Sequence, residues 1–231
     1  MNDSNPKSIE QGQPLPKSRA RRVLIVCVCL LLLLAFPSYH ATRKILARLQ
    51  QVTVVASFRD DFRPETPAPG WRYYWNKNGP VGDTNNYLPL VWSDDHYSPT
   101  DKPLPAPPPA RYMRLSGRSG HPGSGASQTS KISGDECAVI VGFTVPEGGR
   151  YAIKDSLISR HDGALNGSVH LQVFVNDRNT LGDIYCQSRE GIPFDRELGM
   201  LAAGDSIYVS ISAGETDKND SFGLSFSIGR F

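Results

Sequence analysis

Trp71, Tyr73, Tyr74, Trp75, Tyr87, Trp92 and Tyr97 fall within residues 71–97 and include every tryptophan of the chain. If WRYYW, residues 71–75, is a strand, its pleat puts Trp71, Tyr73 and Trp75 on one face. Rings so arranged stack on the C–H faces of sugars, and the nearby Asn76, Asn78, Asn85 and Asn86 carry amides that satisfy hydroxyls. The candidate ligand-binding set is therefore Trp71, Tyr73, Trp75, Asn76, Asn78, Tyr87 and Trp92. The same rings fit two other roles, the core of a sandwich or a protein interface, where Trp and Tyr dominate the binding energy.

Catalytic chemistry has less to work with. No G-x-S-x-G, H-E-x-x-H, G-x-G-x-x-G, Walker A or C-x-x-C pattern occurs. Ser93-Asp94-Asp95-His96 has metal-ligand residue types, and a Ca²⁺ or Zn²⁺ site can borrow two of them if alternate members converge. A solvated turn is the competing reading, and no metal or cofactor is assigned. His121 lies between Gly120 and Pro122, and His161-Asp162 and Asp205 also occupy turn contexts, where Asp commonly accepts backbone N–H groups. The chain is expected not to be an enzyme. Cys137 and Cys186 fall at the ends of expected strands; they are either bridged in an oxidising compartment or held as two buried thiols.

The elements that would position these residues are strands. In 231 residues there are 21 Gly and 18 Pro, with Val, Ile, Tyr, Phe, Ser and Thr dominating the stretches between them, the composition of short strands and tight turns. Alternation predicts strands over 52–58, 71–75, 87–92, 111–115, 137–145, 150–158, 168–175, 181–186, 206–212 and 222–228. In SVHLQVFV, Val169, Leu171, Val173 and Val175 share one side and His170 and Gln172 the other. The pattern predicts an all-β, antiparallel sandwich of jelly-roll kind over 53–231. A Pro/Gly/Ser-rich insertion at 94–135 separates early from late strands: PTDKPLPAPPPA, residues 99–110, holds six prolines, and residues 116–134 are rich in Gly and Ser.

Ahead of the sandwich, residues 1–22 read as a disordered polar tail and residues 23–52 as an anchor with a juxtamembrane helix. VLIVCVCLLLLLAF, residues 23–36, is uncharged, and the uncharged run continues to Ala41. At ~1.5 Å per residue a helix over 23–41 approaches the ~30 Å hydrocarbon thickness. A cleaved signal peptide is the rival, opposed by a long n-region and by TRKILARLQQV, which carries helical spacing onward. Arg19, Arg21 and Arg22 before the run place the N-terminus in the cytoplasm of a single-pass inner-membrane protein, with the C-terminal body periplasmic or extracellular. A net charge of +2, with basic residues dispersed through the outer body, excludes nucleic acid as a partner. The expected partners are the lipid bilayer and either a glycan or a membrane protein complex.

Several short stretches resemble a galactose-binding-like jelly-roll module of bacterial surface and exported proteins of planctomycete type. They are His121-Pro122-Gly123, AVIVGFTVPEGGRYAI (138–153), NGSVHLQVFVND (166–177), AAGDSIYVSISAG (202–214) and the closing strand, with GWRYYWNKNGPVGD (70–83) similar to the start of such modules. Asn176-Asp177 stands where Asn-Gly is usual, and the plain VIVGF replaces a more aromatic strand. The resemblance implies the fold and a non-catalytic, glycan-binding or adhesive role, with residues 138–153 as a scaffold hairpin. A structural accessory subunit docked on a larger membrane complex is the alternative. N-terminal sequencing of the membrane-extracted protein is expected to find residues 23–41 retained; a mature chain beginning beyond Ala41 would establish a signal peptide instead.

Overall fold

The computed structural model describes residues 52–76, 79–100, 110, 112–123, 137–161, 167–214 and 220–231. The expected tail, and the anchor apart from Val52, lie outside these residues, as do Asn78, Asp162, residues 101–109 and residues 124–136. Among the described residues, no helix is long and apolar enough to cross a membrane.

The strands in chain order are β1 (Thr53–Ser57), β2 (Trp71–Asn76), β3 (Tyr87–Pro89), β4 (Val91–Ser93), β5 (His96–Ser98), β6 (Arg114–Leu115), β7 (Ser119–His121) and β8 (Val139–Thr144). They continue with β9 (Gly149–Arg160), β10 (Val169–Val175), β11 (Arg178–Asn179), β12 (Ile184–Cys186), β13 (Arg196–Leu201), β14 (Ser206–Ala213) and β15 (Phe222–Arg230). One helical turn, α1 (Phe58–Asp61), follows β1. The first sheet runs β13-β9-β15-β7-β6-β5-β4, with β1 sharing the β15 edge; the second runs β11-β10-β14-β8-β2-β3, with β12 also paired to β10. All pairings are antiparallel, so the body is an all-β sandwich, as the alternating pattern predicts.

Alternation governs which side chains meet. Trp71, Tyr73 and Trp75 of β2 oppose Phe143, Val141 and Val139 of β8. Ile207, Val209 and Ile211 of β14 continue the same inward face, and Val169, Leu171, Val173 and Val175 complete it on β10. The first sheet contributes Tyr151, Ile153 and Ile158 from β9 and Phe222, Leu224, Phe226 and Ile228 from β15. An aromatic layer closes one part of this core. Phe58 stacks on Phe226 at 5.5 Å and 9°, while Trp71 lies 5.0 Å from Phe143 and 5.7 Å from Phe226. The turn of α1 that carries Phe58 inward is fastened by Asp61, whose carboxylate accepts from the Ser57 backbone N–H at 2.9 Å and from the Trp71 indole N–H at 3.2 Å.

Three expectations need correction. Residues 138–153 do not form a hairpin: β8 belongs to the second sheet and β9 to the first, so Val145–Gly148 is a crossover between layers. Both edges of β8 are taken, by β14 and β2, leaving no edge for β9. Second, residues 87–92 split at Leu90 into β3 and β4, which lie in different sheets. Leu90 turns inward and its N–H donates to the Tyr73 carbonyl at 2.9 Å. Third, the region 94–135 is not wholly an insertion, because β5, β6 and β7 extend the first sheet through it. Of these, β6 falls within the expected strand 111–115, whereas β5 and β7, like β11 and β13, are too short or too polar to announce themselves by alternation.

Cys137 and Cys186, the cysteines among the described residues, are not bridged. Both are buried as thiols in the core. The Cys186 S–H reaches the carbonyls of Ile158 at 3.4 Å and Ser188 at 3.5 Å, and burial pushes its pKa up. Alkylation of the unfolded, unreduced protein followed by peptide mapping is expected to modify both Cys137 and Cys186, whereas the folded protein protects them; a linked peptide pair would contradict this. Trp71→Ala is expected to cost about 3–5 kcal/mol, a fall in melting temperature on the order of 10 °C by thermal circular dichroism. An unchanged melting curve would return Trp71 to the surface.

Candidate functional site

The aromatic set proposed from sequence is not gathered on one surface. Trp71, Tyr73 and Trp75 are 1%, 2% and 7% exposed and face the opposite sheet, so no ring face remains for a sugar. Their alignment on one side of β2 is real, but that side is the inner one, in register with the core residues Phe143, Val141 and Val139 of β8. Burial and the neighbouring Tyr97 ring raise the pKa of Tyr73. Asn76 is also internal: its amide donates to the Gly79 carbonyl at 2.8 Å and its carbonyl accepts from the Ala138 N–H at 2.6 Å, tying β2 to the approach of β8. Trp92 is half-buried against Phe62 and Tyr97.

Tyr87 goes elsewhere, to the outer face of the second sheet. There it lies 6.0 Å from Tyr74 and 5.3 Å from Tyr208, and its hydroxyl accepts from the Gly82 N–H at 3.0 Å. Gly142 lies beneath this trio, where a Cβ would stand 3.1 Å from the Tyr208 ring and 3.2 Å from that of Tyr74. All three tyrosines are half-buried, and burial raises the pKa of Tyr74 and Tyr87. On the same face, Tyr185 stacks on His170 at 4.5 Å and 6°. His170 also meets Asp183 at 2.9 Å, and the Gln172 amide donates to the same carboxylate at 2.7 Å. The hydrogen bonds from His170 and Gln172 hold the Asp183 carboxyl below the usual carboxylate range. This cluster is closed on itself and offers little to a ligand.

A concave polar site among the described residues lies on the other sheet. Asp95, His96, Arg114, Ser116, Ser119, Gly120, His161 and Ser221 line a pocket of about 300 Å³. Five segments build it. The two-residue turn between β4 and β5 pairs Ser93 with His96 and holds Asp94 at a φ of 55°, which Asp tolerates better than most side chains. It is a turn and presents Asp95 beside His96, with Nδ1 to Oδ1 at 2.7 Å; the imidazole lowers the Asp95 pKa. Arg114 comes from β6. Ser116 and Ser119 bracket the β6–β7 turn, with the Ser116 hydroxyl donating to the Ser119 carbonyl at 3.0 Å. The end of β9 delivers His161, whose N–H donates to the Ser221 carbonyl at 2.8 Å just before β15.

The floor is glycine for a steric reason. A Cβ on Gly120 would stand 2.4 Å from the Phe222 ring and 2.7 Å from the Arg114 carbonyl, so no other residue fits between the core and the pocket. His96 Nε2 is buried and has no hydrogen-bond partner, and a buried polar atom in that state costs about 1–3 kcal/mol relative to a satisfied one. Among the described residues, no serine is hydrogen-bonded to it. The pocket supplies hydroxyls, imidazoles and a guanidinium at fixed positions, a set suited to holding a hydroxylated or charged group.

Sequence reading weighed His96 and Asp95 for a metal and His161 as a turn residue, and passed over Arg114, Ser116, Ser119 and Ser221. Their spread over residues 95–221 leaves no local spacing to detect. Among the described residues, no group of three His, Cys, Asp or Glu side chains converges as metal ligands would. No protein-family model matches the chain, and no curated protein matches it.

Proposed function

We propose that this chain is a membrane-anchored, non-catalytic module of jelly-roll type. Its extracytoplasmic body binds a saccharide or another hydroxyl-rich component of the cell surface. The observation that carries this reading is the serine- and histidine-lined pocket on the first sheet, with its glycine floor and unsatisfied His96 Nε2. Hydroxyl-bearing ligands pair with such donors and acceptors, and a rigid sheet holds them in place before binding. The anchor rests on the uncharged run at 23–41 and the arginines before it.

A second reading, an accessory subunit seated against a larger membrane complex, draws support from β1. Val54 and Val55 are 51% and 38% exposed on the first strand after the expected anchor. Apolar side chains in that position suit a lateral protein contact.

The two readings separate in retention and co-purification. In affinity electrophoresis through cell-envelope polysaccharide, the wild-type protein is expected to be retarded, and His96→Ala and Arg114→Ala to migrate freely with unchanged melting temperatures. Equal migration of wild type and variants, together with a stoichiometric membrane protein travelling with the chain, would replace the first reading by the second.

A further inference from the structure

A second groove, of about 170 Å³, adjoins the pocket on the outer face of the first sheet. It is lined by Arg59, Arg118, Leu157, Ser159, Gly223 and Ser225, with His161 as the wall common to both. We propose that pocket and groove form one continuous site for an anionic saccharide, a sugar chain bearing carboxylate groups, with Arg114, Arg118 and Arg59 as the cations that select it. This rests on the saccharide reading above and specifies its charge.

The charge pattern carries the inference. Three guanidinium groups line the two cavities, and the ion pairs of the described residues use none of them. Among the described residues, Asp95 is the single carboxylate on either wall; its oxygen is engaged by His96, and Arg114 also acts on it electrostatically. Among the described residues, three guanidinium groups against one carboxylate give this concavity an excess of positive charge in a chain whose net charge is only +2. Arginine favours such a role because its planar fork meets a carboxylate with two parallel hydrogen bonds. Ser116, Ser119, Ser159, Ser221 and Ser225 provide hydroxyls along the same path for the uncharged part of each sugar unit.

The fold holds the backbone segments that carry these cations. Arg118 sits in the β6–β7 turn, whose Gly117 packs against Phe62, and the Arg118 carbonyl accepts from the Leu224 N–H at 3.0 Å. Arg59 belongs to α1, whose Phe58 is locked in the aromatic layer. At the junction, a Cβ on Gly223 would stand 2.5 Å from the Ser159 hydroxyl and 2.6 Å from His161 Nε2. The bare glycine therefore lets the His161 ring lie down between the two cavities and leaves the path open.

The test is calorimetry on the full chain in a sugar-free detergent. The probes are a trigalacturonate, its neutral methyl ester and sn-glycerol 1-phosphate as a lipid-headgroup mimic. Trigalacturonate is expected to bind at least tenfold tighter than the ester and to weaken as salt rises. Arg114→Ala and Arg118→Ala should each lose roughly ten- to a hundredfold in affinity. Gly223→Ala, which displaces the His161 and Ser159 side chains without touching an arginine, should weaken binding with its melting temperature nearly unchanged. Equal affinity for acid and ester would overturn the anionic selection and leave the saccharide reading standing. Binding of glycerol phosphate alone would assign the site to a lipid headgroup and overturn this inference, and binding of none of the three would remove both readings.

Discussion

Phe58 lying flat on Phe226 is the contact on which the rest of the sandwich depends. It joins the turn after β1 to the middle of the last strand, so the beginning and the end of the described body meet in the core. Around that pair, Phe62, Trp71, Tyr73, Tyr97, Phe143 and Phe194 interlock at edge, tilted and stacked angles. Aromatic pairs in these geometries contribute beyond their buried area, and each ring fixes its neighbours. The same layer holds Trp71 and Tyr73, two rings of the expected sugar platform, away from the surface.

What the core fixes, the first sheet displays. Gly120 presses against the Phe222 ring, so the pocket floor is the back of the hydrophobic core and shifts only if the core does. Arg59 is one residue from Phe58, and the turn bearing Arg118 packs through Gly117 on Phe62. The polar residues of the proposed site are thus carried by segments whose apolar neighbours are buried. This is how a binding surface is kept in shape before its ligand arrives.

The two faces of the molecule differ in character for a related reason. On the second sheet, the outer polar and aromatic groups satisfy one another: His170 with Asp183 and Tyr185, and Tyr87 with Gly82 and Tyr208. On the first sheet, among the described residues, no ion pair uses Arg59, Arg114 or Arg118, and His96 Nε2 has no hydrogen-bond partner. The difference between a closed network and an open one distinguishes structural polar groups from groups available to a ligand.

The alternation of apolar residues by itself determined that the body is antiparallel β and which residues share a side of each strand. Val169, Leu171, Val173 and Val175 lie together on the core face, with His170 and Gln172 on the opposite face, because a pleat permits no other sorting. It also grouped Trp71, Tyr73 and Trp75, but a period of two names a face without saying whether that face meets water or the other sheet. Only tertiary structure decided that, through the pairing of β2 with β8. Pairing is likewise what sent residues 138–153 across the sandwich instead of back on themselves, and what brought Asp95, Arg114, Ser119, His161 and Ser221 to one pocket. Strand partners are chosen by the packing of the whole chain, and no short stretch of sequence contains that information.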